Sequence, residues 1–328
     1  MKVSIDELKD VTRKALLASG YDESEADIIL DVLMYAQLRG NNQGIVKLIG
    51  AGMPKNPNAG QITIERETKL SALLNGDNNQ GMVVVNHVVE MAIEKAREHG
   101  FGLVGTNNTA SSTGAIGYWA RKIADAGFIG WIFAGSPPTV ATFNSYEPVF
   151  GTNPLAIALP SDDDPLVLDI ATSAMAWFGL MEAKTAGKSI PGDVAYDNQG
   201  NLTTDPARAL EGALRPFDRN YKGSGLGLMV EALTGPLVGA AFAGLGRAFE
   251  NWGNLVFAID PELLVDRATF KKQVSELVAA VKSKKKLPGV DDLLMPGERG
   301  DRVMKSVLEA GEIEVEDNLW AELRAKIG

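Results

Sequence analysis

The sequence predicts a mixed α/β fold, and three observations carry that expectation. Short apolar runs bounded by Gly, Pro or Asn recur at 101–105, 130–134, 155–159 and 166–170, as core strands require. Segments of helical period lie between them, clearest at 81–99, where Val85, Val88, Val89, Ala92, Ile93 and Ala96 recur three and four apart. The 328 residues, 45% of them hydrophobic, suffice for a large core in one large or two interleaved domains.

Taken in chain order, residues 5–38 read as two helices. The first starts near Ser4 or Asp6 and stops at Gly20; the second runs from Ser24 to Leu38. A polar break at 39–44 follows. Pro54, Pro57 and Gly60 then punctuate a loop before an alternating strand at 61–65 and a partner at 69–74. Gly100 ends the 81–99 helix, another helix fits 117–126 between the first two core strands, and helices at 174–186 and 225–233 follow the last. One more strand fits 251–259. The amphipathic segment 261–286 reads as a helix whose closing run, Lys282 to Lys286, suits a solvated C-terminus. After the turn Pro296-Gly297-Glu298-Arg299-Gly300, helices fit 301–309 and 317–327, and no internal repeat is visible.

Charge and composition narrow the function. Lys and Arg number 32 against 42 Asp and Glu, a net charge of -10, and no stretch mixes basic with aromatic residues. Nucleic acid is therefore not an expected partner. Cysteine is absent, which excludes a disulfide framework, a thiolate nucleophile and any sulfur-ligated metal, and suits a reducing cytosol. The N-terminal residues alternate charged and apolar at helical spacing with no signal-like run, so a cytoplasmic protein is expected. No segment reaches the roughly 20 apolar residues of a membrane span. Even the glycine-rich stretch 226–249 is broken by Glu231 and Arg247.

Several motifs look chemical and read more simply. Lys222-Gly-Ser-Gly-Leu-Gly227 is G-x-G-x-G, not G-x-G-x-x-G, and no clear strand precedes it. Close helix packing through Gly223, Gly225 and Gly227 is the simpler reading, with Lys222 kept as a candidate phosphate contact. Gly187-Lys188-Ser189 ends like a P-loop, but Glu182 stands where the first glycine belongs. The two histidines, His87 off the apolar stripe and His99 at a helix end, leave little material for a triad or a histidine metal site, so no metal is expected. Asp162-Asp163-Asp164 reads as a solvated turn. The segment 169–173, Asp-Ile-Ala-Thr-Ser, joins a strand end to a helix start and offers hydroxyls and N–H groups to an anion; simple capping by Thr172 or Ser173 is the alternative.

A set of segments, in order and covering most of the chain, resembles one family. These are FGLVG, TGAIGYWA, GTNPLAIALP, LDIATS, IPG followed by AYDNQGNLTTDP, KGSGLGLMVEALTGPLVGA and PGERG. Each alone is weak, but GTNPLAIALP with LDIATS and KGSGLGLMVE is specific. The combination resembles the malate/L-lactate dehydrogenase family, with its ureidoglycolate and sulfolactate dehydrogenases, diketogulonate reductases and cyclic-imine carboxylate reductases. The resemblance implies a non-Rossmann α/β fold, a helical domain built from both termini (1–75 with 287–328) beside a cofactor-binding and catalytic domain (76–286), a homodimer, and NADH or NADPH. It would place cofactor contacts at Ser112, Ser136, Asp169, Ala171, Thr172, Ser173, Lys222, Gly223, Pro296, Gly297 and Glu298.

The departures fall on proton handling. The family's Asp-Ser-His-Gly reads Asn41-Asn42-Gln43-Gly44 here; a second family histidine falls at Ser112 and a third at Tyr221, while the usual Gly-Lys reads Phe178-Gly179. Reduction of a ketone leaves an alkoxide that needs a proton, which Gln43 cannot supply. A protonated cyclic imine already carries one. The resemblance leaves Asp197 and Tyr221 as candidate proton carriers and Lys47, where the family has an arginine, as the grip on a small anionic carboxylate substrate. The simpler readings are a turn-forming Asp197, a structural Tyr221 and a solvated Lys47. The expected activity is thus NAD(P)H-dependent conversion of a 2-oxo, 2-hydroxy or 2-imino acid, and the alternative is a nicotinamide-binding sensor, scaffold or non-redox lyase.

Overall fold

The helix Gly81–His99 organises the molecule. Gln80 caps its start by accepting from the Met82 and Val83 N–H groups, and Gly100 ends it in the left-handed region at φ 80°. Its predicted stripe is buried, each Val or Ile contributing about 1.5–3 kcal/mol on leaving water. It approaches the strand Phe101–Thr109 so closely that a Cβ on Gly102 would lie 2.1 Å from the Ala92 carbonyl oxygen. Only glycine fits there.

This computed structural model describes residues 1–50, 52–245 and 251–327, so Arg247 and Phe249 of the glycine-rich stretch lie outside it. Seven strands form one mixed sheet in the order Thr63–Glu67, Ser71–Asn75, Phe101–Thr109, Trp252–Ile259, Ile129–Ala134, Leu155–Leu159, Leu166–Ile170. The helix Gly81–His99 is the crossover between Ser71–Asn75 and Phe101–Thr109, which pair in parallel. Every other neighbouring pair is antiparallel. A doubly wound dinucleotide-binding sheet is mostly parallel, so the expected α/β fold unlike Rossmann is the one observed.

Both chain ends meet. Lys2–Ser4 pairs antiparallel with Glu312–Glu314, and around that pair the helix Ile5–Ala18 packs on Glu23–Leu38 and Asp317–Ala325. The helix Glu298–Ala310 packs on Glu23–Leu38. The strands Thr63–Glu67 and Ser71–Asn75 belong to the central sheet, which therefore runs across residue 75.

Several bounds shift for identifiable reasons. Asp22 starts the second helix through a capping box with Glu25, ahead of Ser24. The strand expected at 101–105 continues to Thr109 because its buried polar residues find partners: Asn107 donates to the Val238 carbonyl and Thr109 to that of Trp252. The expected 261–286 helix is a 3-10 turn at Pro261–Leu263 followed by Arg267–Lys282, capped by Asp266. Asn220 starts the helix Tyr221–Thr234 earlier than expected, and Trp177–Thr185 starts later. A small sheet of Ala195–Tyr196, Ala213–Leu214, Val140–Ala141 and Pro148–Phe150 has its own core around Leu180, Ile190 and Val194. No described helix is long and apolar enough to cross a membrane.

Candidate active site

Antiparallel neighbours put strand ends and strand starts on the same side of a sheet. The ends of Ile129–Ala134 and Leu166–Ile170, the starts of Leu155–Leu159 and Trp252–Ile259, and the turn after Phe101–Thr109 accordingly converge on one cavity of about 410 Å³. Asn41, Asn42 and Gln43 close one side, and Trp177 and Phe178 contribute aromatic wall. Of the residues singled out in the sequence, Gln43, Ser112, Ser136, Asp169 and Ala171 line it together.

Lys47 stands just behind that wall. It lies in the 3-10 turn Ile45–Leu48, fixed where the Ile45 N–H donates to Gln37 Oε1 at 3.0 Å. Its side chain is 2% exposed, so the solvated reading is overturned. Nζ donates to Ser112 Oγ at 2.8 Å and sits 3.5 Å from the centre of the Phe178 ring. Burial, with no carboxylate paired to it among the described residues, pushes the amine well below its ordinary pKa. Both side chains it touches line the cavity; Lys47 itself is not among the lining residues.

Asp169 is the one carboxylate lining the cavity, and no lysine or arginine lines it among the described residues. Its Oδ2 accepts from the Gly117 N–H at 2.8 Å, at the start of the helix Ile116–Asp125. Asp169 is exposed to the cavity, yet the surrounding protein strips enough solvation to push its carboxyl up to about 6, with the Gly117 N–H and the Arg39 charge pulling back. Thr172 and Ser173 lie deeper. Their hydroxyls donate to the Thr152 and Met175 carbonyls at 3.1 and 2.7 Å, and Ala176, not either hydroxyl, precedes the helix Trp177–Thr185. The capping reading is therefore corrected too.

Other candidates lie elsewhere. Asp197, 1% exposed, accepts from the Gln199 and Asn201 N–H groups and pairs with Arg208. The Asn201 N–H, against burial and with help from Gln199 and Arg208, holds its carboxyl below the usual range. An acid kept ionised has no proton to give, so the turn-forming reading replaces the catalytic one. Tyr221 is 59% exposed at a helix start, edge-on to Phe143 at 6.4 Å, outside the cavity lining. Lys222 is exposed beside it. The Gly223 N–H already donates to Asp218 Oδ1 at 3.0 Å, and that carboxylate would repel a phosphate. Close packing describes Gly223 and Gly227, whereas a Cβ on Gly225 would meet open space.

The turn at Pro296, Gly297 and Glu298 is likewise committed. The Gly297 carbonyl accepts from Arg39 at 2.9 Å. Partial burial would raise the Glu298 carboxyl, but hydrogen bonds from Lys282, the Met295 N–H and Arg302 hold it at about 2. None of the three lines the cavity. Asp164 pairs with Arg121, and His87 is exposed. Thr152, in the GTNPLAIALP motif, joins the lining as well, whereas sequence reasoning missed Thr139, Trp177 and Trp252; for the two tryptophans the only signal was their scarcity, five in the chain.

A mixed sheet with a cavity at one end, walled by aromatics, hydroxyls and one carboxylate, defines an α/β enzyme outside the doubly wound class. Residues 3–324 match the sequence profile of malate/L-lactate dehydrogenases, and the chain belongs to that family of oxidoreductases. It is 39% identical to an L-sulfolactate dehydrogenase of Methanothermobacter thermautotrophicus over 309 residues, 91% of this chain and 88% of the relative. It is 31% identical to the NAD(+) ureidoglycolate dehydrogenase of Escherichia coli K12 over 98% of this chain and 94% of the relative. A malate dehydrogenase structure from Entamoeba histolytica superposes with a TM-score of 0.88 at 28% identity, over 99% of this chain and 97% of that one.

Proposed function

We propose that this protein interconverts a small 2-hydroxy acid and its 2-oxo acid, or reduces the corresponding 2-imino carboxylate, with NADH or NADPH as hydride partner. The observation that carries this is the convergence of Ser136, Asp169 and Ala171 with Ser112 and Gln43 on one cavity. A nicotinamide suits these walls: Trp177 and Trp252 offer flat surfaces, and among the lining residues Thr139 Oγ1 and Trp252 Nε1 are buried without partners. Ser136, Asp169 and Ala171 would hold the cofactor, which when bound exchanges hydride with the substrate carbon. The amides of Asn42 and Gln43 would orient the substrate carboxylate, and the Lys47 charge behind Ser112 would favour an anion without touching it.

A panel of 2-oxo acids and cyclic 2-imino carboxylates, read by reduced-nicotinamide absorbance with each cofactor, tests the reading. Turnover on a panel member is expected; none on any member counts against it. A second reading, nicotinamide binding without redox turnover, draws on the lack of histidine in the described lining. Stereospecific hydride exchange into labelled cofactor would sink it. A cytoplasmic homodimer belongs to the same proposal: Leu228, Met229, Leu237 and Leu245 are all about half exposed or more, and sedimentation should report two copies.

A further inference from the structure

Ser112 Oγ accepts from Lys47 Nζ at 2.8 Å and from the Gly114 N–H at 3.1 Å. A hydroxyl has two acceptor lone pairs and one proton, so what Ser112 has left to offer is that proton. The group lines the cavity. Its turn is fixed: Gln80 Nε2 donates to the Ser112 carbonyl at 2.8 Å, and Gly114, at φ 75°, leaves no room for a Cβ, which would lie 2.3 Å from Val32. Phe178 covers Lys47, so the amine meets the cavity through Ser112.

We propose that Ser112 is the proton donor to a carbonyl substrate and that Lys47, a positioning residue acting through it, re-supplies the proton. This rests on the function proposed above. As hydride from the reduced nicotinamide reaches the carbonyl carbon and forms the new C–H bond, the π pair moves to oxygen. That oxygen bonds to the Ser112 proton as the Oγ–H bond breaks, and Oγ takes one proton from the Lys47 ammonium. Once product leaves, the neutral amine regains its proton from solvent entering the cavity, relayed through Ser112 Oγ. Dehydrogenation runs the same transfers backwards, with neutral Lys47 as the sink.

The setting of Lys47 fits this exchange. Burial makes its ammonium surrender a proton far more readily than a solvated lysine does. The helix Glu23–Leu38 presents the uncharged Gln37 to its turn, and the helix Trp177–Thr185 presents Phe178. Asp169 is the carboxylate that shares the cavity, and Arg39 acts on Asp169. No described group forms an ion pair with Lys47 that would hold its proton in place.

The test compares wild type with Ser112→Ala and Lys47→Met, the latter nearly isosteric and expected to fold. Ketone reduction should fall about 10²-fold or more in Ser112→Ala, the usual range for a lost general acid, while reduction of a 2-imino carboxylate, which brings its own proton, falls less than about tenfold. Lys47→Met should flatten the pH profile of ketone reduction and leave reduced-nicotinamide fluorescence on binding unchanged. Without any substrate, 15N-lysine NMR should show one amine titrating well below the others, absent in Lys47→Met and shifted in Ser112→Ala. Equal losses on ketone and imine, an unchanged pH profile in Lys47→Met, or no low-titrating lysine would each overturn the proposal. A wild type that reduces only imines would overturn it and leave the proposed function standing. Cofactor binding without turnover on any substrate would remove both.

Discussion

Two regions of this molecule treat charge in opposite ways. Where the helix Glu298–Ala310 meets the helix Glu23–Leu38, the buried charges are paired: Arg39 pairs with Asp301 and gives its other arm to the Gly297 carbonyl, and Glu298 is held by Lys282 and Arg302. At the cavity, Lys47 is buried with no carboxylate partner, and Asp169 has one N–H. The first region holds helices together. The second holds an amine with its pKa lowered and a carboxyl with its pKa raised, which costs stability and suits proton chemistry.

Substitutions should separate the two. The largest stability effect is expected for Arg39→Ala, which takes the buried partner from Asp301, leaving it only Arg121 at 3.4 Å, and the donor from the Gly297 carbonyl. A loss of about 2–3 kcal/mol in denaturant titration fits charge-assisted hydrogen bonds lost at a half-buried pair whose acid keeps a second cation. Lys47→Met should leave the melting temperature equal or raise it, since no pair is lost and a buried charge is removed. A drop as large as that of Arg39→Ala would erase the contrast. Gly102→Ala, which forces a Cβ against the Ala92 carbonyl, should cost about 1–3 kcal/mol with little change in cavity chemistry.

The two regions also respond to pH in opposite directions. The Asp169 carboxyl is raised from 3.8 to about 6, so the folded state binds the extra proton in that window and stability falls as pH rises through it. The Glu298 carboxyl is lowered from 4.5 to about 2, so its contribution is present above 4.5 and is lost as pH falls toward 2. Lys47, lowered from 10.5, adds stability as pH rises toward that value. Asp169→Asn should therefore flatten the decline between about pH 4 and 6 in thermal melts, whereas Glu298→Gln should reduce the acid loss. The smallest effect belongs to the exposed Asp10 and Lys14 pair, where Lys14→Ala should change stability by less than about 0.5 kcal/mol.

Regular pattern made much of the fold readable. The helix Gly81–His99 and the strands Leu155–Leu159 and Leu166–Ile170 fall where period and bounding residues put them. Strands of two or three residues, such as Val140–Ala141, are too short to show a period, and Thr106 to Thr109 extend a strand through buried polar groups that only tertiary partners satisfy. In the site, Gln43, Ser112, Ser136, Asp169 and Ala171 were legible as motif positions. What the motif could not tell was the direction of a side chain: Asp197 turns into its own loop, and Glu298 into a cluster of cations. The contact between Lys47 and Ser112 joins residues 65 apart in sequence, so nothing local announces it.

The unpaired Lys47 controls proton supply at the cavity through Ser112. The pH dependence of ketone reduction in wild type and Lys47→Met tests it most directly. Wild-type rates should fall with rising pH at a midpoint well below that of a free lysine, and the variant should lose that dependence while still binding reduced nicotinamide. The same midpoint in both proteins would mean that Lys47 does not supply the proton.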